Sequence, residues 1–252
     1  DLLDTFYTEK ETIARINTAA RDILKLLNNL KNRTQKKLAL RLQELKKCEN
    51  RETLRIYGEL LKANLYNIKK GSTFAEVPNY YSENMENVRI PLDASISPAD
   101  NANRYFKDYK KTYVAEQALK NLTEKDREEL VYFDTVLDSI ERSTTLADIK
   151  EIREELADAG YIKQTVSRKK ANLQNQLNEY RSVEGYKILV GKNNKQNDLI
   201  TTVLASKNDL WFHVKNIPGS HVVVFCGGKE VSDQTITQAA TLAALNSKAA
   251  NS

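Results

Sequence analysis

The sequence is poor in the residues that staple, bend or catalyse. Its 252 residues include two cysteines, Cys48 and Cys226, which lie far apart and form neither a disulfide framework nor a zinc-ligand spacing. That usage fits a reducing compartment, or a surface protein that does without bridges. Only 8 glycines and 4 prolines are present, so turns are few and a helix-rich chain is expected. No apolar stretch approaches the ~20 residues needed to span a bilayer, and no signal-peptide pattern is seen, so no membrane insertion is expected. The chain lacks an initiator Met and opens within a helical pattern, which reads as a piece of a longer protein. His213 and His221 have no paired cysteine and no metal-ligand spacing. Ser220 lacks the flanking glycines of a nucleophile elbow, and the phosphate-loop pattern is missing. The expectation is a protein with no catalytic residues, no metal and no cofactor.

What is present is charge, unevenly spread. The net charge of +5 hides a run from Lys31 to Arg51 at +6, a run from Asn121 to Gly160 at −7, and positive balances of +4 over Lys163–Arg181 and +3 over Tyr186–Ser252. Such a layout reads as solvated helix faces, as pairing between segments, or as separate contacts to a polyanion.

The clearest periodicity is an a/d seam. Ile13, Ile16, Ala20, Ile23, Leu27, Leu30 and Thr34 follow alternating steps of three and four, with Leu2 and Phe6 upstream and Glu9 as a misfit. After Thr34 the seam shifts by one residue to Leu38, Leu42 and Leu45, as a stutter would shift it. A single helix over 4–47 would be about 65 Å long and needs a partner helix. A second, shorter helix is expected after an Asn50 cap, with Leu54, Tyr57, Leu61, Leu65 and Ile68 on its apolar stripe and a left-handed cap at Gly71. Two β-prone runs, Thr73–Val77 and Val88–Leu92, read as a small hairpin with Pro91 at an edge. Ser97, Pro98 and Asp100 mark a strong helix start. Tyr105, Phe106, Tyr109 and Tyr113 form an aromatic stripe read as coiled-coil packing, and Leu130, Phe133, Leu137 and Ile140 continue that helix. Thr123 and Asp126 could form a second capping box, with a bend near Asn121. The simplest arrangement is an antiparallel two-helix arm with the short helix and hairpin at its turning end. A capped short helix follows, ending near Gly160, and residues 161–184 read as a linker.

From Tyr186 the pattern becomes short strands and turns, closed by a Ser232-capped helix. "DLWFHV" alternates, placing Leu210, Phe212 and Val214 on one face and Trp211, His213 and Lys215 on the other. Both histidines and the only tryptophan fall between positions 211 and 221. An aromatic ring, an imidazole and an ammonium on one strand face suit base stacking with phosphate contact; the competing reading is a packed Trp211 and a satisfied core histidine. "VGKNNKQND" is a basic, amide-rich turn that could hold phosphates or be an ordinary solvated turn.

"KILVGKNNKQND" and "LASKNDLWFHVKNIPGSHVVV" together resemble the signature of the NFACT-R module of the RqcH/NEMF family, whose bacterial members are often called fibronectin-binding protein A. "YGELLKANLYNIKKG", "IPLD", "NRYFKDYKK" and "EIREELADAGYI" are similar to the family's coiled-coil and middle region, so the likeness covers nearly the whole chain. It departs from the family after "SHVVV", where a charged residue is common and this chain has Phe225 and Cys226. The resemblance implies an α+β fold: a long antiparallel coiled-coil arm with a small α/β middle element over residues 1–160, then a linker, then a small α/β module over 185–252. It implies binding to the obstructed large ribosomal subunit and tRNA, with template-free alanine tailing of stalled nascent chains, in the cytoplasm. The alternative it carries is a host fibronectin adhesin, also found at the cell surface. The nucleic-acid-binding residues it points to are Lys192, Asn193, Lys195, Asn197, Asp198, Trp211, His213, Lys215, Ser220 and His221.

Overall fold

The computed structural model describes residues 2–163 and 177–250, with side chains from Lys10 onward. The seam positions Leu2, Phe6 and Glu9 and the middle of the expected linker, 164–176, lie outside the described side chains or residues. Among the described residues, six α-helices and six strands follow in chain order: α1 (Leu2–Lys47), α2 (Arg51–Ala63), β1 (Phe74–Pro78), β2 (Asn87–Pro91), α3 (Pro98–Glu141), α4 (Leu146–Asp158), β3 (Asn178–Arg181), β4 (Lys187–Val190), α5 (Asn194–Asp198), β5 (Leu210–Phe212), β6 (Val222–Phe225) and α6 (Asp233–Leu245). The fold is α+β, and it divides into two compact units, residues 34–128 and residues 1–33 with 129–252.

In the first unit α1 and α3 pair antiparallel. Asp126 on α3 is buried and takes both Lys37 at 2.9 Å and Arg41 at 2.5 Å from α1, while Arg51 reaches Glu116 ten residues earlier on α3. α3 runs as one unbroken helix through Asn121. The Thr123 hydroxyl donates to the Lys120 carbonyl within the helix, and Asp126 is engaged by two cations, so neither serves as a cap. The shifted seam shows in partial burial of Leu38 and Leu45, with Leu42 exposed. Leu60, Leu61, Ala75, Val77, Ile90, Ala102 and Tyr105 form the core between α2, the hairpin and the start of α3. Tyr105 of the aromatic stripe therefore packs in this core, while Tyr113 at its end is exposed. Tyr105 meets Tyr57 edge-on at 5.6 Å and donates its hydroxyl to the Pro91 carbonyl at 2.7 Å, and Arg51 lies over the Tyr109 and Tyr113 rings. Gly58 allows the approach of α3: a Cβ there would sit 2.9 Å from the Phe106 ring. Asn50 makes no side-chain cap, because a short 3-10 turn over Cys48–Asn50 already leads into α2. Gly71 is left-handed as expected but lies in a turn well after α2 has ended.

In the second unit the first half of the seam is buried as the spacing predicts. Ile16, Ala20, Ile23 and Leu27 of α1 pack against Phe133, Val136 and Ile140 of α3 and Ile149, Ile152 and Leu156 of α4. Ile13, at the start of the seam, is 57% exposed. α4 begins with a reciprocal capping box between Thr145 and Asp148.

The same unit holds an antiparallel sheet in the order β3-β4-β6-β5. Strand β3 lies inside the stretch read as a linker. Its register, Asn178 opposite Val190 through Arg181 opposite Lys187, makes the module begin earlier than residue 185. Both faces of the sheet are covered, which explains the unbroken apolar run "VVVF". Ile188, Val190, Val222 and Val224 face Ala239 and Ala243 of α6, joined by Leu210 and Phe212. Leu189 and Val223 face Ile200, with Leu204 and Phe225 alongside. Ile200 belongs to a π-helical turn, Leu199–Leu204, that prolongs α5.

Ile23 is 1% exposed within the three-helix core. Ile23→Asp is expected to cost at least about 3 kcal/mol, since it removes apolar packing and buries a carboxylate. The melting midpoint should fall by roughly 6–12 °C. An unchanged midpoint in thermal circular dichroism would show that this face of α1 is not packed.

Candidate nucleic-acid interface

The amide-rich loop after β4 is built as a docking surface for α4. Asn193 caps α5 by accepting from the Gln196 amide at 3.0 Å, which turns its own side-chain amide toward Glu151. Glu151 accepts from Asn193 Nδ2 at 2.8 Å and from Gln196 Nε2 at 2.7 Å. One turn on, Glu155 accepts from Asn194 at 2.8 Å. Lys192 pairs with Asp148 at 3.2 Å, and Lys195 pairs with Asp158. The acidic side chains recur at steps of three and four along α4, so they share one face. Asp148, Glu151 and Glu155 are all buried, as are Asn193, Gln196 and Asn197.

These surroundings shift Asp148 and Glu155 in opposite directions. Burial pushes Glu155 above the ordinary carboxylate range, against the pull of Asn194 and Tyr132. Burial also works to raise Asp148, but the Thr145 hydroxyl, Lys192 and the Thr144 amide outweigh it and hold it low.

Asn197 ties the loop to the Pro218–His221 turn. Its Oδ1 accepts from the His221 amide at 2.9 Å and its Nδ2 donates to the Gly219 carbonyl at 3.3 Å. The approach requires Gly191, where a Cβ would stand 2.2 Å from Asn197 Oδ1. Ser220 is 1% exposed and receives Arg142 of α3 at 2.9 Å, while Arg142 also holds Asp138 at 2.8 Å. Gly219 lies against Ser247, and the Ser220 amide donates to the Asn246 carbonyl at 2.8 Å.

On the other side of that turn the aromatic residues gather. Trp211 and His213 lie nearly parallel, 12° apart with centroids at 5.9 Å, and His221 meets both edge-on at 5.3 and 5.2 Å. Trp211 is 51% exposed, whereas Leu210 and Phe212 pack into the opposite layer, as the alternation predicts. The strand stops at Phe212, so Val214 lies beyond it, and the exposed Lys215 sits in a turn with Asn216, whose φ of 58° is left-handed. Asp198 is exposed, and its charge favours protonation of His221.

The ten candidate residues thus separate into two groups. Trp211, His213, His221 and Lys215 lie on or beside one open edge. Lys192, Asn193 and Lys195 face α4, Asn197 and Ser220 are internal latches, and Asp198 is a surface carboxylate. The sequence reading missed Arg142, Thr201 and the α4 acids as partners. The signal for the acids was the −7 balance over 121–160 opposite a positive module, for which pairing between segments was one reading beside solvated helix faces and polyanion contact. Among the described residues, no cluster of His, Cys, Asp or Glu is placed to hold a metal ion. No helix there is long and apolar enough to cross a membrane, and both cysteines are buried and free.

Glu151→Ala strips two buried amide groups of their acceptor and is expected to cost about 2–4 kcal/mol in urea denaturation. Glu151→Gln should cost less, because it keeps one acceptor oxygen; equal losses would show that size and not hydrogen bonding matters here. The histidines carry a pH signature. Burial lowers both, with His213 adding to the effect on His221 and the Gly219 carbonyl opposing it at His213. Their contribution to stability is complete above the ordinary value of 6.5 and is lost as pH falls through the folded values. Glu155, raised by burial, acts in the opposite sense, with its contribution lost as pH rises. The unfolding midpoint should therefore drop between pH 7.5 and 5.5 in the wild type and drop less in His213→Gln/His221→Gln; parallel drops would show that the imidazoles are not responsible.

Comparison with known proteins gives this geometry a family. Residues 1–175 match the family model for the NFACT N-terminal and middle domains, and residues 176–252 match that for the NFACT protein RNA binding domain. The boundary falls just before β3. The chain is 40% identical to the Rqc2 homolog RqcH of Bacillus subtilis (strain 168), over 100% of this chain and 44% of that protein. It is 39% identical to the Rqc2 homolog RqcH of Streptococcus suis (strain 05ZYH33), over 100% of this chain and 45% of that one. It therefore spans less than half the length of these relatives. Among solved structures it resembles the C-terminal part of the fibronectin/fibrinogen-binding protein from Streptococcus suis (FBPS), with a TM-score of 0.70 and 34% identity over 94% of this chain and 81% of that one. With residues 1–252 covered by these two family models, the chain belongs to the NFACT family.

Proposed function

We propose that this chain is the ribosome- and RNA-contacting portion of an RqcH-type quality-control factor, acting as a binding protein. On this reading it engages the large ribosomal subunit obstructed by peptidyl-tRNA, together with tRNA, in the process that adds alanine tails to stalled chains. Its place of work is then the cytoplasm. The observation that carries the reading is the open Trp211–His213 edge, which lies within the residues matched by the RNA-binding family model. A half-exposed indole stacked with an imidazole, and an exposed Lys215 a few residues on, suit RNA contact, with a ring face for a base and an ammonium for phosphate.

The test is co-sedimentation of the chain with isolated large subunits across a salt series, beside binding to immobilised fibronectin, the ligand class in the name of the streptococcal neighbour. Binding to subunits that weakens steeply with salt is expected, because neutralised phosphates release counterions. Lys215→Glu should weaken it. Lys192→Gln and Lys195→Gln should leave affinity within about twofold and mainly lower the melting midpoint, since their ammonium groups are held by Asp148 and Asp158. Binding to fibronectin without binding to subunits would overturn the proposal and favour the adhesin.

A further inference from the structure

Lys192 and Lys195, the basic residues of the loop after β4, are engaged by α4. What the β5 edge offers RNA is therefore chiefly a flat ring. We propose that the Trp211–His213–His221 face is a subsite for one unpaired nucleobase, stacked on the exposed indole, a role that rests on the RNA-contact reading above.

Geometry decides where the base lies. The Trp211 and His213 rings are parallel within 12° and their centroids are 5.9 Å apart, so the gap between their planes is no more than that. Inserting a base between two rings needs about 6.8 Å, twice the 3.4 Å rise of stacked bases. The base must lie on the open side of the indole, with His213 behind it. Base-paired RNA keeps its ring faces inside the helical stack and shows only edges and backbone, so a ring-on-ring contact selects an unstacked base. Strand β5 is an edge of the sheet, which leaves this side open to approach.

The platform is held before any ligand arrives. Thr201 donates its hydroxyl hydrogen to the Asn197 carbonyl, so its oxygen meets His221 Nδ1, 2.8 Å away, as an acceptor. That fixes the Nδ1–H tautomer and the orientation of the ring. His221 in turn stands edge-on to both Trp211 and His213, at 88° and 78°. Asn197 holds the His221 backbone and Arg142 holds Ser220 beside it. A fixed platform loses little side-chain freedom on binding, so more of the stacking energy appears as affinity.

Because Trp211 is the single tryptophan of the chain, its emission reports this subsite alone. The experiment titrates the chain with a short single-stranded oligoadenylate and with an RNA duplex of equal length, following tryptophan emission and, separately, the anisotropy of labelled RNA. Saturable quenching by the single strand, and little by the duplex at equal occupancy, is expected. Trp211→Ala should weaken single-strand binding by about 5- to 150-fold, the range for one base–aromatic stack, without changing the salt slope. Trp211→Phe, which keeps a ring face, should recover most of the affinity and shows that the loss is not one of folding. Single-strand binding seen by anisotropy with emission unchanged, or equal quenching by the duplex, overturns the subsite and leaves RNA contact standing. A chain that binds neither RNA overturns both.

Discussion

The structure of the C-terminal module depends on one buried polar junction, the acidic face of α4 against the loop after β4. Glu151 carries two amide donors in a place sealed from solvent, and Glu155 carries a third. A carboxylate buried in this way is tolerable only when its lone pairs are filled, and the loop supplies side-chain amides to fill them. Amides serve better than lysines at the centre because they satisfy the oxygens without burying a second charge. The lysines stand at the ends, where Lys192 and Lys195 remain partly open to water. The pattern "KNNKQN", a basic, amide-rich turn chemically able to hold phosphates, is thus a complement to a helix of the same chain.

From that junction order passes to the exposed edge through short, fixed steps. Asn193 starts α5, α5 presents Asn197, and Asn197 holds the turn that carries His221. Thr201, one turn later, sets the His221 ring, and the ring braces Trp211. The sequence therefore places its rare residues together for a physical reason. The Trp and His rings form a half-exposed aromatic face, while the sheet core is mostly aliphatic, with Tyr186, Phe212 and Phe225 partly buried around it. Exposure of the indole in a module that covers both faces of its sheet is the feature that packing alone does not explain.

In the unit of residues 34–128 charge does similar work by other means. Asp126 draws two cations of α1 into contact with α3, and Arg51 joins Glu116 while covering two tyrosine rings. The basic run 31–51 is thereby partly matched by acids of α3, so a segment that reads as a polyanion-binding stripe is in part a helix–helix seam.

Much of the local architecture was legible without the structure. The seam at Ile16, Ala20, Ile23 and Leu27, the Ser97 start, the capped helix that ends near Gly160, the hairpin and the Leu210/Trp211/Phe212 alternation all follow from periodicity and capping chemistry, which act between residues close in the chain. What failed to show depended on distant partners. Whether Thr123 caps or stays helical was decided by the cations that take Asp126. The strand at 178–181 was invisible in "NEYR" because its order comes from pairing with β4. Above all, Lys192, Asn193, Lys195 and Asn197 looked like residues for a ligand and became residues for α4, Gly219 and His221. Their side chains are equally suited to phosphate and carboxylate oxygens, and only the tertiary structure brings α4 within hydrogen-bond reach of them. The sequence by itself determined which helices and strands form and which faces are apolar, since those are short-range consequences of spacing. The tertiary structure decided which polar groups are left for a partner, since that depends on what the chain has already brought against them.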